Sequence, residues 1–134
     1  MSSIDIAIPK EEDEQMAFVN WCQAKKYKVH HCANEVGGGS WALKSRAIKA
    51  KRMGTSKGFP DLLVFIPVEN IDGEVDSWQM IAIEMKRRKG GVVSKEQKEW
   101  GEILQASGVP FKICYGCEQA INFIQEVVGK IYED

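Results

Sequence analysis

Two apolar runs, Leu62-Leu63-Val64-Phe65-Ile66 and Ile81-Ala82-Ile83, each meet charge at one end. Pro60-Asp61 opens the first, and Glu84-Met85-Lys86 closes the second. Apolar, β-branched runs bounded by turn residues predict strands, here over 61–67 and 78–86. The acidic segment around Asn70-Ile71-Asp72-Gly73 is the turn between them. If the two strands are neighbours, Asp61, Glu84 and Lys86 meet at one end of a sheet. Glu84 and Lys86 stand two apart and share a face, whereas Ile83 and Met85 point to the other.

The remaining elements fit around this pair. Residues 10–26 read as a helix, with Pro9 at its start and Glu11 to Glu14 complementing the positive end of the dipole. Tyr27 to Cys32 reads as a short strand. Residues 35–57 are a Gly-rich and then basic segment, in which Lys44 to Lys51 could form a helical turn or two. Ser94-Lys-Glu-Gln97 is a capping box that starts a helix running through Trp100 and Leu104 to about Gly108. Pro110 to Tyr115 is a strand, and Glu118 to about Ile131 a closing helix. The order α-β-β-β-α-β-α predicts an α/β fold, a mixed central sheet with helices flanking it.

With 134 residues, 44% of them hydrophobic and 28% charged, the chain has the composition of one ordinary domain over 1–134. No apolar run approaches the ~20 residues of a membrane span. The N-terminal residues do not resemble a signal peptide, so a cytoplasmic location with reduced cysteines is expected. Net charge is only −1, but Lys44, Arg46, Lys49, Lys51, Arg52 and Lys57 follow one another with no acid between them. Lys86-Arg87-Arg88-Lys89 forms a second basic cluster. Solvated loop charge explains either cluster alone; together, around an acidic centre, they suit a phosphate backbone.

Two carboxylates suit a hard divalent cation, since Mg²⁺ takes oxygen ligands and leaves places for water and phosphate. Asp61 and Glu84 supply the carboxylates, and a backbone carbonyl near Met85 is within reach. Lys86 could orient the attacking water or offset charge on a phosphorane. An exposed strand-end ion pair is the plain alternative for Glu84 and Lys86. Cys114-Tyr-Gly-Cys117 is a rival signal, placed as a redox motif would be between a strand and a helix. Too little chain follows it for that fold, and Cys22, Cys32, His30 and His31 do not complete a zinc site. Buried apolar thiols are the better reading, with strand packing for both histidines.

Gly58-x-Pro60-Asp61, Glu84-x-Lys86 and Ser94-x-x-Gln97-x-x-Trp100 together resemble the VRR-NUC domain, a virus-type replication-repair branch of the PD-(D/E)XK nucleases. The likeness extends from Glu11-x-x-x-Gln15 through Asn34-Glu35 to Gly116–Ile121. It implies a restriction-endonuclease-like αβββαβ core. It implies that Asp61 and Glu84, with the Met85 carbonyl, bind Mg²⁺ or Mn²⁺, that Lys86 is catalytic, and that a helical acid completes the site. The family's E-x-x-x-Q pattern selects Glu11, which also lies mid-stripe with Phe18, Val19 and Cys22. Spacing to the following strand favours Glu14 instead; Glu11 ranks first. Gln97 has a capping role and, by resemblance, a place near the metal. Lys51, Arg52, Lys57, Arg87, Arg88, Lys89 and Asn34 are the expected DNA contacts, with Lys95 and Lys98 further along. Stand-alone relatives of this size are expected to act as homodimers on branched DNA such as Holliday junctions. A non-catalytic DNA-binding module keeping the fold is the alternative.

Overall fold

The computed structural model describes residues 7–32 and 40–133. In chain order it has α1 (Glu11–Ala24), β1 (Lys28–His31), α2 (Trp41–Arg52), β2 (Leu62–Glu69), β3 (Val75–Lys86), α3 (Lys95–Ala106), β4 (Phe111–Tyr115) and α4 (Cys117–Ile131). The strands form one mixed sheet in the order β1-β2-β3-β4. β1–β2 and β2–β3 are antiparallel, and β3–β4 is parallel. A parallel pair needs a crossover, and α3 supplies it.

Register follows from hydrophobic alternation. Leu62 pairs with Ile83 and Val64 with Ile81, so their side chains share one face. That face, covered by α1 and α4, forms the core with Phe18, Cys22, Ile66, Met85, Cys114, Ala120, Ile124 and Val127. The opposite face carries Ala82, Glu84, Phe111 and Ile113, with α3 lying near Phe111. α3 comes close because Gly101 has no side chain; a Cβ there would run into the Phe111 ring. The β2–β3 turn is held by Asn70, whose Oδ1 accepts from Asp72 N (2.9 Å) and Glu74 N (3.0 Å).

Three features differ from the sequence reading. The hairpin strands run further toward the turn than expected, to Glu69 and from Val75, with a bulge at Val68/Glu69 absorbing the extra residue. The basic segment contains a full helix of 12 residues, not a turn or two. Ser40 caps it, its Oγ accepting from Leu43 N at 3.2 Å, and the run that follows has no Gly or Pro. His30 and His31 are both exposed, because β1 is a short edge strand. No helix among the described residues is long and apolar enough to cross a membrane.

Candidate active site

Continuing the β2–β3 register by one step sets Asp61 opposite Glu84. The Asp61 carbonyl accepts from Cys32 N at 2.7 Å, which fixes the backbone just before β2 begins. Its side chain turns to β3, where Asp61 Oδ2 accepts from Met85 N at 3.2 Å. Glu84 is 3% exposed, and its Oε1 is a buried oxygen without a hydrogen-bond donor among the described residues. Lys86 Nζ lies 3.7 Å from Glu84 Oε2, and its stem is packed against Gly91. Asp61, Glu84 and Lys86 are therefore brought together at the end of β3.

Burial pushes Glu84 far above the usual carboxylate range, up to about 9. The facing Asp61 adds to the rise, through side-chain hydrogen bonding and then through its charge; Lys86 opposes it, and Glu11 adds a smaller push. An orphaned, buried oxygen facing a second carboxylate is costly for a protein that keeps the site to itself. A cation removes the cost. Among the described residues no three His, Cys, Asp or Glu side chains converge on one point. Two carboxylates with open positions fit an ion that keeps water and substrate phosphate, and do not fit a closed four-ligand zinc site.

The two outlying motifs position Asp61. Gly58, at φ +86, lies against the start of α3; a Cβ there would sit 2.6 Å from Glu96 Cβ and 2.8 Å from Gln97 N. Phe59 meets Trp100 edge-to-face at 5.0 Å, and Pro60 is fully buried. The capping box is formed: Ser94 N donates to Gln97 Oε1 (2.9 Å) and Gln97 N to Ser94 Oγ (3.1 Å). Gln97 thus has its capping role, at the helix end on which the Gly58–Asp61 turn rests. Sequence reasoning gave no structural role to Gly58, Phe59 or Trp100. Their signal was the fixed spacing of both motifs.

The acids of α1 divide. Glu14 is 4% exposed, and Arg88 grips it with Nε (3.0 Å) and NH2 (2.9 Å). Glu14 Oε1 also accepts from Cys117 N at 3.2 Å, serving α4, whose own N-cap Gly116 has no side chain. Gly116 has φ +98, and a Cβ there would lie 2.9 Å from Glu14 Oε2, crowding the pair. The buried stripe is Glu14, Phe18 and Cys22, turned toward the Trp21 side of the one expected. Arg88 and the α4 amide draw it there. Glu14 is thereby paired with Arg88 and with the first amide of α4. Glu11 is exposed at the helix start, and its charge reaches Glu84.

Of the other expected contacts, Lys51, Arg52 and Lys57 are exposed on and after α2, and Lys89 on the loop after β3. Arg87 donates to the Ile8 carbonyl at 3.3 Å. Asn34 and Glu35 lie outside the described residues. Lys95 is exposed, 3.9 Å from Glu99, a pairing worth little in water. All four cysteines are free thiols. Burial pushes Cys22 and Cys114 up to about 12 and raises Cys117 as well, the reverse of a reactive thiolate.

The chain can be set beside known proteins on this geometry. The family model described as the VRR-NUC domain matches residues 2–118. A solved structure titled "VRR_NUC domain protein" superposes with a TM-score of 0.68 at 24% identity, covering 92% of each chain. At that identity the likeness speaks to the fold. No curated protein sequence matches. The matched span takes in the Gly58–Asp61 turn, the Glu84–Lys86 strand end and the Ser94–Trp100 helix start, and the sheet they sit on is that of a VRR-NUC structure; this chain belongs to the VRR-NUC family of nuclease-fold, DNA-processing domains.

Proposed function

We propose that the chain is a Mg²⁺- or Mn²⁺-dependent endonuclease of DNA, hydrolysing phosphodiester bonds at the Asp61–Glu84–Lys86 site. The carrying observation is the buried, donor-less Glu84 Oε1 facing Asp61, with the Lys86 ammonium 3.7 Å from the other oxygen. Asp61, Glu84 and the main-chain carbonyl of Met85 would hold the cation, and Glu11 adds negative charge from α1. When bound, a divalent cation makes water a better nucleophile at neutral pH and offsets charge on the scissile phosphate.

The residues themselves do the rest. The Met85 N–H fixes one oxygen of Asp61, leaving the other to turn to the site. Burial of Glu84 keeps bulk water from competing for its oxygens. Lys86, with its stem wedged against Gly91, holds its ammonium where charge develops on a phosphate oxygen. Gln97, at the start of α3 beneath the Gly58–Asp61 turn, supports the position of Asp61. Lys51, Arg52, Lys57 and Lys89 offer phosphate contacts, which position DNA without reading its sequence.

The preferred substrate in this reading is branched DNA, such as a Holliday junction, cut by a homodimer. A four-way junction has two-fold symmetry, and two copies of the chain present two equivalent sites to it. The test is cleavage of a four-way junction against a linear duplex of equal length, with and without Mg²⁺. Lys86→Ala should lower the turnover rate by about 10²–10³ while leaving DNA binding in EDTA intact. Undiminished cutting by that variant would sink the assignment. Calorimetry showing no divalent binding would leave a DNA-binding module that keeps the fold.

A further inference from the structure

Among the described residues, helix α2 has no buried residue and makes no substantial packing with any other helix or strand. At 100° per residue, Leu43, Ala47 and Ala50 fall on one side, and they are its only half-buried members. The opposite side aligns Trp41, Ser45, Ile48 and Arg52. Lys44 and Lys51 flank that line on one edge and Lys49 on the other. Trp41 is 82% exposed and Ile48 63%. Basic residues in the last turn complement the helix dipole, which accounts for Lys49, Lys51 and Arg52. It does not account for Lys44 or Arg46, nor for an indole and an isoleucine turned to water.

Nine residues after Arg52 comes Asp61, and Gly58 between them is docked on α3. The helix is therefore tethered within about 30 Å of the cutting site, closer where the chain turns at Met53–Thr55. Whatever binds its outer face must match dense positive charge and also offer an apolar surface. A duplex offers phosphates but keeps the faces of its bases stacked. Unpaired bases offer both, and aromatic side chains beside basic ones are how single strands are held. A second copy of the same face would set four basic residues against four more, which repels.

We infer that the outer face of α2 receives the branch point of forked DNA. Phosphates lie along Lys44, Lys49, Lys51 and Arg52, and an unpaired base stacks on Trp41 with Ile48 beside it. This rests on the nuclease reading for its substrate and adds the element that distinguishes a branch from a continuous duplex.

The experiment is fluorescence anisotropy in EDTA, where nothing is cut, with a forked DNA and a linear duplex of equal nucleotide number. Trp41→Ala should weaken fork binding on the order of tenfold while duplex binding changes by less than about twofold, and Trp41→Phe should keep the preference. Lys49→Ala should weaken both DNAs alike and lower the salt dependence by about one phosphate contact. Alanine favours the helix, so the variants keep α2, as far-UV circular dichroism will report. Equal effects of Trp41→Ala on both DNAs, or none on either, would overturn the inference. So would a shift from dimer to monomer on Trp41→Ala in sedimentation, or wild-type binding to anionic vesicles that this substitution abolishes. Because binding is read without metal, failed cleavage by the wild type would count against the nuclease reading and leave this result standing.

Discussion

Burying Glu84 beside Asp61 costs the metal-free protein stability, and the size of that cost depends on pH. Below about 4.5, the ordinary value for this carboxyl, Glu84 is protonated in the folded and the unfolded chain alike. As pH rises, the unfolded chain releases the proton first, while the folded one keeps it until about 9. The unfolded state gains across that window, so stability falls as pH rises through it. Glu84→Gln sets an amide donor against Asp61 and removes the titration. In EDTA at pH 8 this variant should be more stable than the wild type by ~1–3 kcal/mol, the advantage shrinking toward pH 4.5. Urea midpoints at the two pH values decide it, and a less stable variant at pH 8 would contradict the argument. Mg²⁺ at a hundred times its dissociation constant should add ~2.7 kcal/mol to the wild type and nothing to the variant. Its affinity should tighten between pH 6 and 9, because binding displaces the proton that Glu84 keeps up to about 9; flat calorimetric affinities across that range would argue against that raised value. Asp61, Glu84 and Lys86 were legible because charge interrupts apolar runs. The commitment of Glu14 was not, because its partner Arg88 is 74 residues away and only the fold brings them together.

Helix α1 serves two purposes one turn apart. Its buried Glu14 ties α1 to Arg88 after β3 and to the first amide of α4, whereas the charge of exposed Glu11 reaches Glu84. Conservative substitutions separate them. Glu14→Gln should lower stability by about 1–3 kcal/mol, since it weakens a charge-assisted pair at a buried carboxylate, and should leave Mg²⁺ affinity nearly unchanged. Glu11→Gln should weaken Mg²⁺ binding and cost less stability than Glu14→Gln, since Glu11 is exposed. Calorimetry and thermal unfolding of both variants check this, and an exchange of the two phenotypes would put Glu14 in the site instead. The strands β2 and β3 and the helix α3 could be read in the sequence because each carries a strong local signal, an apolar run or a capping box. Helix α2 lacked such a signal. With no buried face it has little apolar periodicity, and its basic residues resembled a loop; Ser40 was the overlooked start. A helix held by its cap and by Ala, Lys, Arg and Leu shows in propensity, not in pattern.

At the scale of the whole molecule, the net charge of −1 conceals a separation along β3. The strand runs from Val75 and Asp76, beside the acidic turn of Asp72 and Glu74, to Lys86 at the site, and its 12 residues span about 35 Å. Screening at physiological salt acts over ~8 Å, so the turn and the site do not feel each other through solvent. On the proposed reading, a phosphate backbone at Asp61 and Glu84 would be met by the basic segment that leads into Asp61 and by Lys89, and the total charge would matter little to it. If net charge governed binding, neutralising three acids or three bases would change affinity by similar amounts in opposite directions. The separation predicts otherwise. Asp72→Asn, Glu74→Gln and Asp76→Asn together should leave affinity for a junction in EDTA nearly unchanged. Lys51→Ala, Arg52→Ala and Lys57→Ala together should weaken it steeply and reduce the slope of log K against log salt by about 2–3, one ion released per lost phosphate contact. Equal and opposite shifts in the two triple variants would mean that DNA responds to the charge of the molecule as a whole. An unequal pair, with the slope altered only in the basic variant, would place the nucleic acid on the basic segment that leads into Asp61, away from the acidic turn.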